Sequence, residues 1–167
     1  QRIGELKGLV EVLQKMANVL QNQGKYKDAL ELLEGALKIA ETHGFNSTKA
    51  HLYSALGIIY ESQSKYKKAL EVLQKGLEIN KVLNDRFLEA KIFGNLGVVY
   101  QNLGQNKETL KSYTEALKIT REIGDRRGEG VHLGRLGTIY QILGEYENAL
   151  DSYGEALDIT REIGDKR

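Results

Sequence analysis

Cysteine, proline and tryptophan are all absent from the 167 residues. Without cysteine there is no disulfide, no thiolate nucleophile and no sulfur-ligated metal site. Without proline, helices can run about two turns past the point where a shorter helical repeat would stop. No apolar run approaches the ~18 residues that a membrane-spanning helix needs, so no membrane partner is expected. An excess of one charge is missing as well. The 24 Lys+Arg face 23 Asp+Glu, and overall electrostatics therefore favours neither nucleic acid nor an anionic surface. With no leader-like segment, the expected location is cytoplasmic.

What the chain has is glycine, 18 in all, and a ruler of 40 residues that phases them. Gly57, Gly97 and Gly137 fall on the ruler. So do Tyr60, Tyr100 and Tyr140, and Leu30, Leu70, Leu110 and Leu150. Residues 106–127 and 146–167 match at 14 of 22 positions, including ITREIGD at 119–125 and 159–165. A fixed period of this size means stacked supersecondary units, none of which buries its apolar face alone. Such chains present extended surfaces rather than closed pockets.

Each period contains two helical patterns. Leu88, Ile92, Leu96, Val99 and Leu103 recur at spacings of three to four, as do Leu110, Tyr113 and Leu117, with Ile119 and Ile123 continuing the apolar pattern. That is the period of an amphipathic helix, not of a strand. The turn between them (Gly24, Ser64, Gly104 and Gly144) is short enough only for an antiparallel reversal. Gly44, Asn84, Gly124 and Gly164 stand where the second helix should end in a left-handed cap. Asp85 and Asp125 follow and are placed to cap the next helix. The expected helices are 6–22, 26–42, 46–62, 66–83, 86–102, 106–123, 126–142 and 146–163, forming repeats at 6–45, 46–85, 86–125 and 126–167 of one domain spanning 1–167. Gly57, Gly97 and Gly137, with Ala17 in the first copy, recur within the first helix of each pair. There a missing side chain allows the second helix, carrying Ala29, Ala69, Thr109 and Ala149, to approach closely.

The phased residues resemble the tetratricopeptide repeat. Its Leu-Gly, Tyr, Ala, large-residue, Ala pattern appears as Leu96-Gly97, Tyr100, Thr109, Tyr113 and Ala116, and again as Leu136-Gly137, Tyr140, Ala149, Tyr153 and Ala156. The second copy reads Leu56-Gly57, Tyr60, Ala69, Leu73 and Gly76, and the more divergent first copy Ala17, Leu20, Ala29, Leu33 and Ala36. The usual unit is about 34 residues and carries a proline. The longer proline-free variant is similar to bacterial and archaeal arrays and to Pins-type (Leu-Gly-Asn repeat) adaptors.

The resemblance implies an all-α fold: a right-handed α-solenoid of antiparallel helix pairs, with four repeats and eight helices. It implies that the first helix of each pair lines a concave groove for a protein or peptide ligand. Carried over, the groove residues are Gln14, Asn18 and Gln21; His51, Ser54, Ile58 and Glu61; Lys91, Gly94, Val98 and Gln101; and Val131, Gly134, Thr138 and Gln141. In the Pins-type and chaperone-binding classes an asparagine after Leu-Gly grips the ligand backbone. Here that place holds Asn18, Ile58, Val98 and Thr138, a departure from both clamps. The groove that results has an apolar floor flanked by amides, suited to an apolar-anchored helix or extended segment.

Other motifs carry less. Gly94 and Gly134 mark either close approach of a ligand backbone or relief of crowding between neighbouring helices. Arg121, Arg126, Arg127 and Arg135 read as solvated loop charges, since no basic excess or aromatic ladder accompanies them. His43, His51 and His132 lack metal-ligand spacing. Gly128-Glu129-Gly130 follows no strand and lacks a third glycine, so it is no dinucleotide loop. Asn46-Ser47-Thr48 matches a glycosylation acceptor by chance length alone. Carboxylates such as Glu155 and Asp158 fall on a wet face where no raised pKa is expected. No enzyme, metal or cofactor is expected.

The expected function is a protein–protein interaction scaffold. A signalling alternative is a peptide-sensing regulator of an effector domain outside this sequence. Both ends fall in the same inter-repeat phase, with Ile3-Gly4-Glu5-Leu6-Lys7-Gly8 matching 123–128. The chain therefore reads as an excerpt of a longer array. Its last helix should leave part of Leu150, Tyr153, Ala156, Leu157 and Ile159 uncovered, inviting end-to-end self-association.

Overall fold

The computed structural model of the chain describes residues 2–165. Among them there are eight helices and no strand. They are α1 (Arg2–Asn22), α2 (Tyr26–Thr42), α3 (Asn46–Ser62), α4 (Tyr66–Leu83), α5 (Arg86–Asn102), α6 (Asn106–Glu122), α7 (Arg126–Leu143) and α8 (Tyr146–Asp165). The chain divides into two compact units, one up to Asn84 and one from Asp85 onward. The division falls between the second and third repeats.

In each unit the helices pack as consecutive hairpins: α1 with α2 and α3 with α4, then α5 with α6 and α7 with α8. Within a unit, the second helix of one hairpin also packs on the first helix of the next, α2 on α3 and α6 on α7. The reversals share one mechanism. After α1 the Lys25 N–H donates to Leu20 O (2.9 Å) and Gly24 N–H to Gln21 O (2.9 Å). The same pair of bonds follows α3, α5 and α7. This double bond satisfies carbonyls that the helix end would otherwise orphan, and it needs one left-handed residue. Gly24, Gly104 and Gly144 supply it without strain, whereas Ser64 adopts φ 57° with a side chain present.

The other connections use Gly44, Asn84 and Gly124, all at positive φ, a conformation that these residue types tolerate. Asp85 then accepts from Leu88 N–H (3.0 Å), and Asp125 from Gly128 N–H (2.9 Å). Gly164 differs: α8 runs through Asp165, so this glycine lies inside the helix. At the other end α1 begins at Arg2, so residues 3–8 are helical rather than a connection. Glu5 stands there in place of the capping aspartate that follows Gly124. Lys166 and Arg167, part of the expected last connection, lie outside the described residues.

The core of each unit sits between its helices. In the first, Val10, Ala17, Leu33, Leu52, Leu56 and Ile59 are buried together. In the second the cluster is built from Tyr113, Leu117, Leu133, Leu136, Ile139 and Ile159. The phased glycines explain the close hairpin packing. A Cβ on Gly57 would stand 2.5 Å from Leu73 Cδ2, and one on Gly137 2.7 Å from Tyr153 Cε1. A Cβ on Gly97 would overlap the Tyr113 ring. No real Cβ tolerates such approaches, so the large residue of the second helix occupies the space the first leaves empty.

Candidate functional site

The first helices of the hairpins, α1 and α3 in one unit and α5 and α7 in the other, carry the groove residues expected from sequence. On the first unit's helices Asn18 is exposed, and Gln14, Gln21, His51, Ile58 and Glu61 are half-buried. Ser54 is fully buried and presents no surface. On the second unit's helices Lys91, Val131 and Gln141 are exposed, and Val98, Gln101, Gly134 and Thr138 are half-buried.

Gly94 is buried for a definite reason. A Cβ there would stand 2.7 Å from His132 Cε1, and the Gly94 carbonyl accepts a hydrogen bond from Arg135 Nη1 at 3.0 Å. The residue thus relieves crowding between α5 and α7. A Cβ on Gly134, by contrast, would meet only open space.

Several of these side chains are already engaged. Gln101 Oε1 accepts from the Tyr113 hydroxyl at 3.0 Å, and Gln141 Oε1 from Tyr153 at 3.3 Å. A tyrosine ring packed onto a glycine carries its hydroxyl to the glutamine four residues further along the first helix. The third and fourth repeats have tyrosine at this place and the first two have Leu33 and Leu73. The 12-residue Gln–Tyr spacing shared by the last two copies is the sequence signal that reveals the pairing. Thr138 Oγ1 likewise lies 3.1 Å from both Gly134 O and the Tyr153 hydroxyl.

The second unit adds two features. One is a hollow of about 350 Å3 between the N-terminal halves of α5 and α7, lined by Phe87, Lys91, Arg127, Val131, His132 and Arg135 among others. His132 is 7% exposed, and its Nδ1 is buried without a hydrogen-bond partner. Burial first, then the nearby Arg135 guanidinium, push its pKa down to about 4 despite the opposing Asp125 carboxylate. The imidazole is therefore neutral at pH 7. Arg135 also lies over the Tyr113 ring, 5.5 Å from its centroid.

The other feature is an ion-pair cluster that joins α6, α7 and α8. Arg121 Nε and Arg126 Nη1 hold the buried Glu129 at 2.8 and 2.5 Å. Arg121 also pairs with Glu155, and Arg126 with Glu162. Burial alone would raise the Glu129 carboxyl, but hydrogen bonds from the two arginines outweigh it and hold the group below the ordinary carboxylate range. Two of the arginines read from sequence as loop charges, Arg121 and Arg126, are thus fasteners between α6, α7 and α8.

Among the described residues no helix is long and apolar enough to cross a membrane. No curated protein matches the chain by sequence. Several solved structures share its fold. BtubC (BKLC) from P. vanneervenii is 22% identical with a TM-score of 0.85, covering 95% of this chain and 66% of that one. A Signal Transduction ATPase with Numerous Domains protein with a tetratricopeptide repeat sensor, from Pyrococcus horikoshii, is 28% identical with a TM-score of 0.83, covering 91% and 23%. Aspartyl phosphate phosphatase F from Bacillus subtilis is 15% identical with a TM-score of 0.88, covering 93% and 41%. The chain thus spans less than two thirds of the length of each. A family model described as Tetratricopeptide repeat matches residues 9–81 and 88–162, and the chain belongs to that family.

Proposed function

We propose that the chain is a protein-interaction module that holds a peptide or partner segment along the faces of its first helices. The observation that carries this reading is the composition of those faces. In the first unit Ile58 is half-buried on helices that also carry Gln14 and Asn18; in the second, Val98 is half-buried and Val131 exposed on helices that also carry Lys91 and Gln141. An apolar floor with a polar rim suits a segment anchored by a few apolar side chains. Ser54 and Gly94, being buried, act from beneath this surface rather than on it. No residue here is assigned a catalytic role.

A random-peptide library selected against the chain tests the reading. Selected peptides should bind the parent and lose at least tenfold in affinity to a Lys91→Glu, Val131→Glu variant. Both side chains are exposed, so stability should change by only about 0.5 kcal/mol. Failure to select any peptide, or equal binding by the variant, would count against it.

A second reading is that the array senses a ligand for an effector. Its support is the Pyrococcus horikoshii protein, whose repeats are described as a sensor. Such a role requires a ligand-dependent change within a unit, visible as altered hydrogen exchange in α5 and α7 on binding.

A further inference from the structure

We infer that α1 of one copy seats on α8 of another as α7 seats on α6, with Gly8 set against Thr160, so that the partner of both faces is a second copy of this chain. The positions concerned are distinct from the groove residues of α1, Gln14, Asn18 and Gln21, and the pairing is independent of peptide binding.

The α6–α7 junction shows what such a seat needs. A Cβ on Gly128 would stand 2.8 Å from Thr120 Cγ2, and Glu129 pairs with Arg121, so both positions of α7 meet α6 directly. His132, Leu136 and Ile139 continue along α7 at spacings of three and four, and all are buried. Three periods earlier the same phase reads Gly8, Leu9, Val12, Met16 and Val19. On α1 these four side chains are between 45% and 56% exposed. The receiving side repeats as well. Tyr113, Leu117 and Thr120 are buried on α6, whereas Tyr153, Leu157 and Thr160 are exposed on α8. Beside Thr160 a hollow of about 400 Å3 opens between α7 and α8, lined by Gly130, Val131, Ile159 and Ile163 among others. Its counterpart beside Thr120 is walled by Gly128, Val131 and His132 of the following first helix.

Gly8 supplies a second, independent observation. A glycine inside a helix costs ~1 kcal/mol relative to alanine, and a Cβ there would meet nothing within 4 Å in its own chain. No neighbour in the chain calls for the missing side chain. A threonine methyl from a second copy does, as Thr120 does at Gly128. Leu9 takes the place of Glu129, so an apolar contact replaces the ion pair of the internal junction. Arg161, the counterpart of Arg121, keeps Asp158 at 3.6 Å.

Because the chain has no cysteine, an engineered disulfide reports the pairing without interference. The Thr120 methyl is one bond from its Cβ, so its approach to Gly128 puts the two Cβ positions about 4 Å apart, the span of a disulfide. Gly8→Cys and Thr160→Cys chains are made separately, mixed and oxidised with glutathione disulfide, and the products are mapped by mass spectrometry. The 8–160 product should exceed either homodimer about tenfold, as a contact between two different faces requires. No disulfide, or the mixture expected of random collision, would overturn the pairing. An excess of the 8–8 product would also overturn it, by showing α1 against α1 in a symmetric dimer.

Gly8→Leu is a variant whose fold is not in question, since the new side chain meets open space and leucine favours helix over glycine. It should weaken association in sedimentation about tenfold by crowding Thr160, with circular dichroism unchanged. Association equal to that of the parent would show that Gly8 is not at the contact and would overturn the seat.

Discussion

His132 shows how one residue can set a pH response. Its unfolded pKa is near 6.5 and its folded value about 4, because burial and Arg135 disfavour the imidazolium. The folded chain thus resists a proton that the unfolded chain accepts. The corresponding stability is fully present above pH 6.5 and is lost as pH falls toward 4. The shift corresponds to roughly 3 kcal/mol when fully expressed. Replacing His132 with isoleucine, the residue type of the equivalent Ile92, should remove this term. Urea unfolding should show the variant gaining stability over the parent at pH 4.5 relative to pH 7, and parallel pH profiles would refute the assignment. A neighbouring packing pair allows a second prediction. Gly97→Ala drives a methyl into the Tyr113 ring and should cost about 1–3 kcal/mol. The first repeat carries Ala17 and Leu33 at these two places, both fully buried. Adding Tyr113→Leu should therefore recover part of the loss, and strict additivity of the two changes in denaturation would contradict a shared space.

At the scale of the element, helix ends were the most legible part of the sequence. A left-handed residue admits few types, so Gly44, Asn84 and Gly124 announced their conformations before any packing was known. Asp85 and Asp125 were equally readable, because a capping carboxylate must stand just before the first turn. Asp125→Ala should destabilise the second unit by about 1 kcal/mol in thermal or urea unfolding. Asp125→Asn should lose less, since an amide oxygen still accepts from Gly128; equal losses would show that charge, not the bond, carries the effect. Side-chain pairings between elements were not legible in this way. Arg121 and Arg126 looked like solvated loop charges because helical spacing says nothing of what the next helix brings to them. Only the packed structure places Glu129 between them. Gln101 was read as free groove surface for the same reason, and its tie to Tyr113 follows from the ring stacking on Gly97.

At the scale of the whole molecule, the period made the helix count and fold class readable, since a hairpin repeated every 40 residues must bury its faces against its neighbours. The same logic identifies surface left without a neighbour. On α6, Tyr113 and Leu117 are buried and Leu110 is half-buried, whereas on α8 their counterparts are open, with Tyr153 37%, Leu157 49% and Leu150 71% exposed. Ile159 is buried, with its side chain beside Gly130, so it does not belong to the open stripe. On α1 the residues Val12, Met16 and Val19 are exposed, while their equivalents Leu52, Leu56 and Ile59 on α3 are buried under α2 and α4. The two stripes correspond to the two sides of an internal junction, and we propose that the α8 face of one copy takes the α1 face of another. Such a contact joins two different faces and is head-to-tail, so its products depend on concentration and are not a single symmetric dimer. Sedimentation of this chain should therefore rise with concentration. Leu150→Glu with Leu157→Glu should return it to monomer, as should a polar helix appended after α8, because either change removes or covers the apolar stripe. A sedimentation coefficient that stays monomeric and flat across the concentration series, with the parent stripe intact, would show that these exposed leucines do not drive association.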